Sequence, residues 1–136
     1  MANLKLDTTL RSNMMDEITA VAGSSAKIKI YAGTQPSGGG ATSATLLGTL
    51  TCAATFAPAA SGGVLTLGSV SGDSSADATG TASWFRLTTS GDVFVLDGDI
   101  TVTNGGGDLT LDSTGIVIGG SISLSGTNTL TAPNAA

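Results

Sequence analysis

Apolar residues recur along this chain with two different periods, and the change between them falls near residue 26. Leu6, Leu10, Met14, Ile18 and Val21 follow one another at spacings of four, four, four and three, the repeat of one apolar stripe on a helix. The pattern predicts a helix over about residues 8–22, capped by Asp7 or Thr8 and ended by Gly23. The stripe is expected to pack on the core of a sheet; the competing reading has it dock on a partner.

From Lys27 onward the period is two. Lys27-Ile28-Lys29-Ile30-Tyr31 alternates, with Ile28 and Ile30 on the inward face. Further strands are expected at Leu46 to Cys52, Val64 to Leu67 and Ala82 to Thr89. In the last of these Phe85 and Leu87 share one face and Trp84 and Arg86 the other. Val93 to Leu96 is apolar on both faces and reads as a central strand. Ile100 with Val102 and Leu109 with Leu111 mark two more, joined by a turn at Asn104-Gly105-Gly106-Gly107. Ile116, Ile118, Ile122 and Leu124 lie in one phase and predict a long strand bent at Gly119-Gly120. The intervening runs, 34–45, 57–63 and 71–80, are rich in Gly, Ser, Pro and Ala and read as loops. No internal repeat stands out.

About eight short strands with regular turn signals predict an all-β domain. Without helical crossovers its sheets should be mainly antiparallel, as a β-sandwich of jelly-roll type with one short N-terminal helix. The 136 residues fit a single domain. It divides into an N-terminal arm and helix (1–26), a sandwich (27–126) and a loosely held, flexible tail (127–136).

Composition sharpens this picture. Charged residues are 11% and aromatic residues 4% of the chain, so the core is aliphatic and the polar surface is made of Thr, Ser and Gly, a mixture that suits strands and turns. The net charge is −5, with five basic residues in all, which argues against a nucleic-acid partner. Residues 1–29 hold Lys5, Arg11, Lys27 and Lys29 against Asp7, Asp16 and Glu17, whereas the remainder holds Arg86 against seven aspartates. A mildly basic end on an acidic body is a means of orienting on a partner, or plain scattered charge. The single cysteine, Cys52, precludes an internal disulfide and reads as a small core residue. No apolar run is long enough for a membrane helix, and the N-terminus lacks the basic-then-apolar pattern of a leader. The expectation is a protein made in a cytoplasm and without a membrane partner.

Candidate chemistry is sparse. There is no histidine, which removes the commonest general base and zinc ligand. Ser24-Ser25-Ala26-Lys27 fits S-x-x-K, but the companion motifs of that catalytic class are missing and a helix-to-strand turn favours Ser anyway. The Gly-rich runs do not follow the phosphate-loop pattern. Asp97-Gly98-Asp99, the Asp73 to Asp77 stretch and Gly105-Gly106-Gly107-Asp108 offer oxygens to calcium, yet the twelve-residue calcium loop is not there, and solvated turn aspartates are the favoured reading. No cofactor or metal site and no catalytic residue is therefore expected. Trp84 and Arg86, adjacent on one strand face, are candidates for ring stacking or an interface contact.

The run from Met1 to Arg11, with the helix continuing through Met14-Met15-Asp16-Glu17-Ile18-Thr19, resembles the start of small proteins encoded by tailed phages and prophages. The same likeness extends through Ile30-Tyr31-Ala32-Gly33-Thr34-Gln35-Pro36, the segment from Leu50 to Ala60, and the segment from Ser74 to Leu87. It covers roughly residues 1–100. The family is similar to the jelly-roll cement, or decoration, proteins that clamp the shells of short-tailed phages.

The resemblance implies a non-enzymatic virion protein on the capsid exterior, made in the host bacterial cytoplasm. Its partners would be the major capsid protein and further copies of itself, as a dimer or trimer. The motifs assign no functional residues. Lys5 and Arg11 on the N-terminal segment, residues 1–12, are candidate anchors, with Trp84 and Arg86 as candidate contacts. The alternatives are a tail, fibre or neck component; a carbohydrate-binding module using Trp84 with Tyr31; and, least favoured for want of histidine, a hydrolase.

Overall fold

A helix, α1, occupies Thr8–Ala22, as the sequence predicts. Asp7 caps it, its Oδ2 accepting from the backbone N–H of Thr9 at 2.8 Å and of Leu10 at 3.4 Å. Gly23 ends it with φ of 70° and donates its N–H to the Thr19 carbonyl. The computed structural model describes residues 4–132 of the chain.

The rest is strand and loop, with one short 3-10 turn at Ser37–Gly39: β1 (Lys27–Ala32), β2 (Leu46–Cys52), β3 (Val64–Thr66), β4 (Val70–Ser71), β5 (Gly80–Thr88), β6 (Phe94–Val102), β7 (Leu109–Leu111), β8 (Gly115–Ile116) and β9 (Thr129–Thr131). Seven form one curled sheet in the order β4-β2-β1-β5-β6-β7, with β8 added on β5, and β3 pairs with β9 as a second, two-stranded sheet. The fold is mostly β with one helix, loosely compatible with a sandwich. The main sheet is mixed rather than purely antiparallel, because β6 and β7 run parallel.

The alternation read from the sequence sets the faces. Ile28, Ile30, Leu47, Leu50, Cys52, Phe85, Leu87 and Ile100 point inward and are buried, joined by Leu65, Leu109, Leu111 and Phe56. At roughly 25 cal/mol per Å² removed from water, this aliphatic layer is the main driving force for the fold.

Four expectations need correction. First, the helix packs on a different row. Met15 and Ala22 are buried, with Arg11 and Ile18 partly so, while Leu10, Met14 and Val21 are 47%, 42% and 55% exposed. A spacing of four advances roughly 40° around a helix, so the stripe slides off the packed row of 11, 15, 18 and 22. Polar residues hold that row in place: the Ser12 hydroxyl accepts from the Gly63 N–H, and the Asp16 carboxylate from the Ala60 N–H.

Second, Val93 to Leu96 and Ile100 to Val102 are not separate strands but the single β6. The acidic Asp97-Gly98-Asp99 between them is no break, because Asp97 faces Arg86 across the ladder. Gly98 lies beneath the Phe85 ring, where a Cβ would stand 2.6 Å from its Cε1. Strand order makes β6 internal, yet its first residue Phe94 is 41% exposed, as is neighbouring Val93 at 63%.

Third, Ile116 to Leu124 is not one strand. Ile116 pairs in β8, Ile122 and Leu124 make isolated bridges to Asp73 and Leu111, and Ile118 is 63% exposed on a turn. Fourth, the described part of the tail is held: β9 pairs with β3, and Leu130 and Ala132 are buried. The remainder of the expected tail, 133–136, lies outside the described residues.

A nine-residue repeat emerges with the parallel pair. Gly98-Asp99-Ile100-Thr101-Val102 returns as Gly107-Asp108-Leu109-Thr110-Leu111, and the repeats stack in register, Ile100 on Leu109 and Val102 on Leu111. The turn between them carries Asn104 at φ of 67° and Gly106 at 88°. The Asp108 carboxylate accepts from the Asp99 N–H at 3.0 Å, tying one repeat to the next. Asn128 closes the outer edge: its Oδ1 accepts the Thr110 N–H at 2.8 Å, and its Nδ2 donates to the Ser125 carbonyl at 3.0 Å.

Candidate functional site

The outer face of the main sheet carries a cluster of aromatic and charged groups. Alternation on β1, β5 and β6 brings Tyr31, Trp84, Arg86 and Asp97 to this face, opposite the aliphatic core. Tyr31 and Trp84 face each other in the ladder and stack, with centroids 4.4 Å apart and planes 11° from parallel. The Arg86 guanidinium lies 5.5 Å from the Trp84 ring and 5.0 Å from the Phe94 ring.

Arg86 also makes a two-pronged contact with Asp97, Nε to Oδ1 at 2.7 Å and Nη2 to Oδ2 at 2.9 Å. Its Nη2 donates further to the Gly40 carbonyl at 2.9 Å. Both members of the pair are largely covered, their side chains 12% and 5% exposed. The hydrogen bond that Arg86 donates to Asp97 holds the guanidinium's pKa above its ordinary value, against the opposing effect of desolvation.

Gly40 belongs to the 33–45 loop, which leaves β1, crosses the outer face and returns to β2. Ser83 on β5 donates its hydroxyl to the Gly33 carbonyl, and Gly39 sits against the Phe94 ring. Trp84, on the face this loop crosses, is only 1% exposed. The indole N–H has no hydrogen-bond partner among the described residues. Trp84 and Tyr31 thus stack on each other beneath cover and present no open aromatic platform to a sugar.

The other residues singled out from sequence fall elsewhere. Lys5 is exposed on the arm preceding α1. Arg11 turns back onto the fold, its guanidinium against Gly63 and its Nη2 3.4 Å from the Ala132 carbonyl. Lys5 and Arg11 are therefore not grouped with Trp84 and Arg86. Lys27 of the S-x-x-K motif reaches Asp92 at 3.2 Å, where Lys29 joins it at 2.9 Å. Lys29 first and Lys27 second hold the Asp92 carboxyl below its ordinary pKa. This contact is present at neutral pH and is lost as the pH falls through that lowered value.

Three of the aspartates considered for calcium are used locally. Asp73 accepts from the backbone N–H groups of Thr49 and Ser75, Asp97 binds Arg86, and Asp108 binds the Asp99 N–H. Among the described residues no three acidic or cysteine side chains gather as a metal would require. Among them, too, no helix is long and apolar enough to cross a membrane.

Cys52 is buried, and desolvation pushes its thiol up to about 11. The thiolate is the reactive form. Native protein is therefore expected to resist a thiol-titrating disulfide reagent at pH 8 and to release one equivalent of chromophore once denatured in urea. Fast native reaction would show that the β2–β4 edge opens readily.

The sequence offered docking of the helix stripe as its competing reading, and the structure leaves part of that stripe in water: Leu10, Met14 and Val21 of α1 are 47%, 42% and 55% exposed, and Leu4 on the preceding arm is 76% exposed. The periodicity of the three helix residues was legible; their outward direction was not, since it depends on Ser12 and Asp16 being the residues that face in. Comparison with known proteins adds no relative: no family model, no curated protein and no solved structure matches the chain.

Proposed function

We propose that this chain is a capsid cement protein of a tailed bacteriophage, a non-enzymatic virion component that binds the outside of the assembled major-capsid-protein shell as a homo-oligomer. The observation that carries the reading is the exposed apolar row of the N-terminal element, Leu4, Leu10, Met14 and Val21, on a small β body. Clustered apolar side chains left in water on a small domain mark a binding face more often than chance exposure does. The N-terminal segment, residues 1–12, together with the helix face that continues it, is the proposed anchor; residues 1–3 of that segment lie outside the described residues.

The body suits the task. Its buried outer-face pair Arg86–Asp97 and aliphatic inner face stiffen one curled sheet, which we read as a variant of the jelly roll. The resemblance of residues 1–100 to small proteins of tailed phages and prophages, read from the sequence, agrees with this proposal. Cement binding relies on many weak contacts repeated by symmetry, so a modest apolar anchor suffices.

The test is co-purification with intact capsids. Binding at hundreds of copies per particle is expected, and Leu10→Ser with Met14→Ser should reduce occupancy severalfold while leaving the fold intact. A few copies per particle, confined to the tail or neck, would replace this reading with that of a tail, fibre or neck component. Absence from the particle would reject both.

A further inference from the structure

We propose that Asn104 is a site of spontaneous deamidation, converting to isoaspartate and thereby loosening the stack of the two nine-residue repeats. Water is the only co-substrate, so the reaction belongs to the chain itself and stands apart from the shell. Asn104-Gly105 is the single Asn-Gly pair in the sequence. Both residues are exposed, and the Asn104 carboxamide makes no hydrogen bond among the described residues. The fold imposes this pair. Asn104 holds φ of 67° in the turn from Val102 to Gly105, a conformation asparagine tolerates better than most side chains. A Cβ on Gly105 would lie 2.7 Å from the Thr101 Cβ and Oγ1, so glycine is needed there. The same lack of a side chain leaves the Gly105 nitrogen unhindered toward the neighbouring carboxamide.

The Gly105 amide nitrogen, once it has given its proton to base, attacks Asn104 Cγ. The N–Cγ bond forms, the Cγ–Nδ2 bond breaks, and Nδ2 leaves as ammonia with a proton regained. Water then opens the cyclic imide. Attack at Cγ gives aspartate; attack at the backbone carbonyl of residue 104 gives isoaspartate, whose chain runs through Cβ and Cγ. The Gly105 N–H is held on the Val102 carbonyl at 2.8 Å, so the attack follows local opening of this exposed turn. Comparable groups are better sealed. Asn13 lies within α1. Asn128 is buried, its amide bonded to Thr110 and Ser125. Asp97-Gly98, which would cyclise by losing water, lies inside β6 with its carboxylate on Arg86.

Isoaspartate lengthens the backbone by one bond, about 1.5 Å. The turn has no slack to take this up, because Gly105 and Gly107 both lie against Thr101, where a Cβ would stand at 2.7 and 2.9 Å. The displaced turn gives up the bond from the Gly107 N–H to Thr101 Oγ1, now 3.0 Å. Next to it, the Asp108 carboxylate loses its hold on the Asp99 N–H, the tie between the repeats.

Ageing the full chain at mildly alkaline pH, with and without urea, and mapping its peptides by mass spectrometry tests this. Fragmentation that separates aspartate from isoaspartate reads the product. In the native chain the amide-to-carboxyl mass gain should come first at Asn104, roughly tenfold faster than at Asn13 or Asn128. It should quicken as the pH rises and yield isoaspartate at residue 104. Urea should speed it further, because the turn is then always open. Asn104→Gly keeps a residue that accepts positive φ and should abolish the gain with the fold intact. In the converted protein, amide exchange at Asp99 and Gly107 should be severalfold faster. A native chain whose Asn104 stays unchanged while the urea-treated chain converts overturns the proposal, as does conversion that begins at Asn13 or Asn128. Unchanged exchange at Asp99 and Gly107 after conversion overturns the link to the repeat stack.

Discussion

Phe85→Ala is expected to destabilise the protein by about 4 kcal/mol, the largest effect of any single truncation here. Phe85 is 1% exposed at the centre of β5, the strand that pairs with β1, β6 and β8. Its ring lies directly against Gly98 of β6, where an added Cβ would meet Cε1 at 2.6 Å and Cζ at 2.8 Å. The substitution removes a large apolar side chain whose ring lies on the β6 backbone at Gly98, and on that side a rigid sheet cannot collapse to refill the space.

Gly98→Ala alone should cost about 1–3 kcal/mol by overpacking. In the Phe85→Ala background the same alanine enters the vacated volume, so the two costs should fall well short of additive. Urea unfolding of the four proteins in this cycle checks the argument. Additive costs would mean that ring and glycine do not share one space. A Phe85→Ala loss below about 2 kcal/mol would mean that the core repacks.

Much of this architecture was legible in the sequence because its signals are local. The limits of α1 follow from Asp7 and Gly23, and β2 was bounded correctly at both ends. The assignment of Phe85 to the inside and Trp84 to the outside follows from period-two alternation. What the sequence hid depends on partners distant along the chain. Asp97-Gly98-Asp99 looks like a turn until Arg86 supplies a counter-charge across the ladder and Phe85 supplies a ring that only glycine can underlie. The tail looked loose because Thr129-Leu130-Thr131 is a weak strand by itself; it is held by pairing with Val64–Thr66, far away in sequence.

The nine-residue repeat was written in the chain, but two short copies are easily passed over until the parallel register stacks them. The candidate surfaces divide in the same way. Arg86 and Trp84 did belong to one cluster, as their shared strand face implied. That the 33–45 loop meets the cluster at Arg86 and Phe94 is a tertiary fact. The direction of Leu10, Met14 and Val21 was likewise set by the polar residues, Ser12 and Asp16, to which the loop at 60–63 donates its N–H groups, a choice invisible in the helix's own periodicity.

The Arg86–Asp97 pair supplies the second large effect. Asp97→Ala is expected to cost about 3 kcal/mol, because it strands a guanidinium under cover with the Gly40 carbonyl as its remaining hydrogen-bond partner. The two rings beside it offset part of that cost, since a cation over an aromatic face retains some attraction. Replacing both partners by apolar residues of similar volume, Arg86→Met with Asp97→Leu, removes the charge along with its need for a counter-charge. That double variant should be more stable than Asp97→Ala and lie within about 1–2 kcal/mol of the wild type.

The same cycle tests how the loop is fastened. Arg86→Met deletes the bond to Gly40, so the 33–45 segment should lift from the outer face more often. The single tryptophan of the chain, Trp84, reports this directly. Acrylamide quenching of its fluorescence should rise in every variant lacking Arg86 and should change much less in Asp97→Ala, where the Gly40 contact remains. Equal quenching in the wild type and Arg86→Met would assign the burial of Trp84 to its stack with Tyr31 alone, and a double variant as unstable as Asp97→Ala would remove the pair's charge from the explanation altogether.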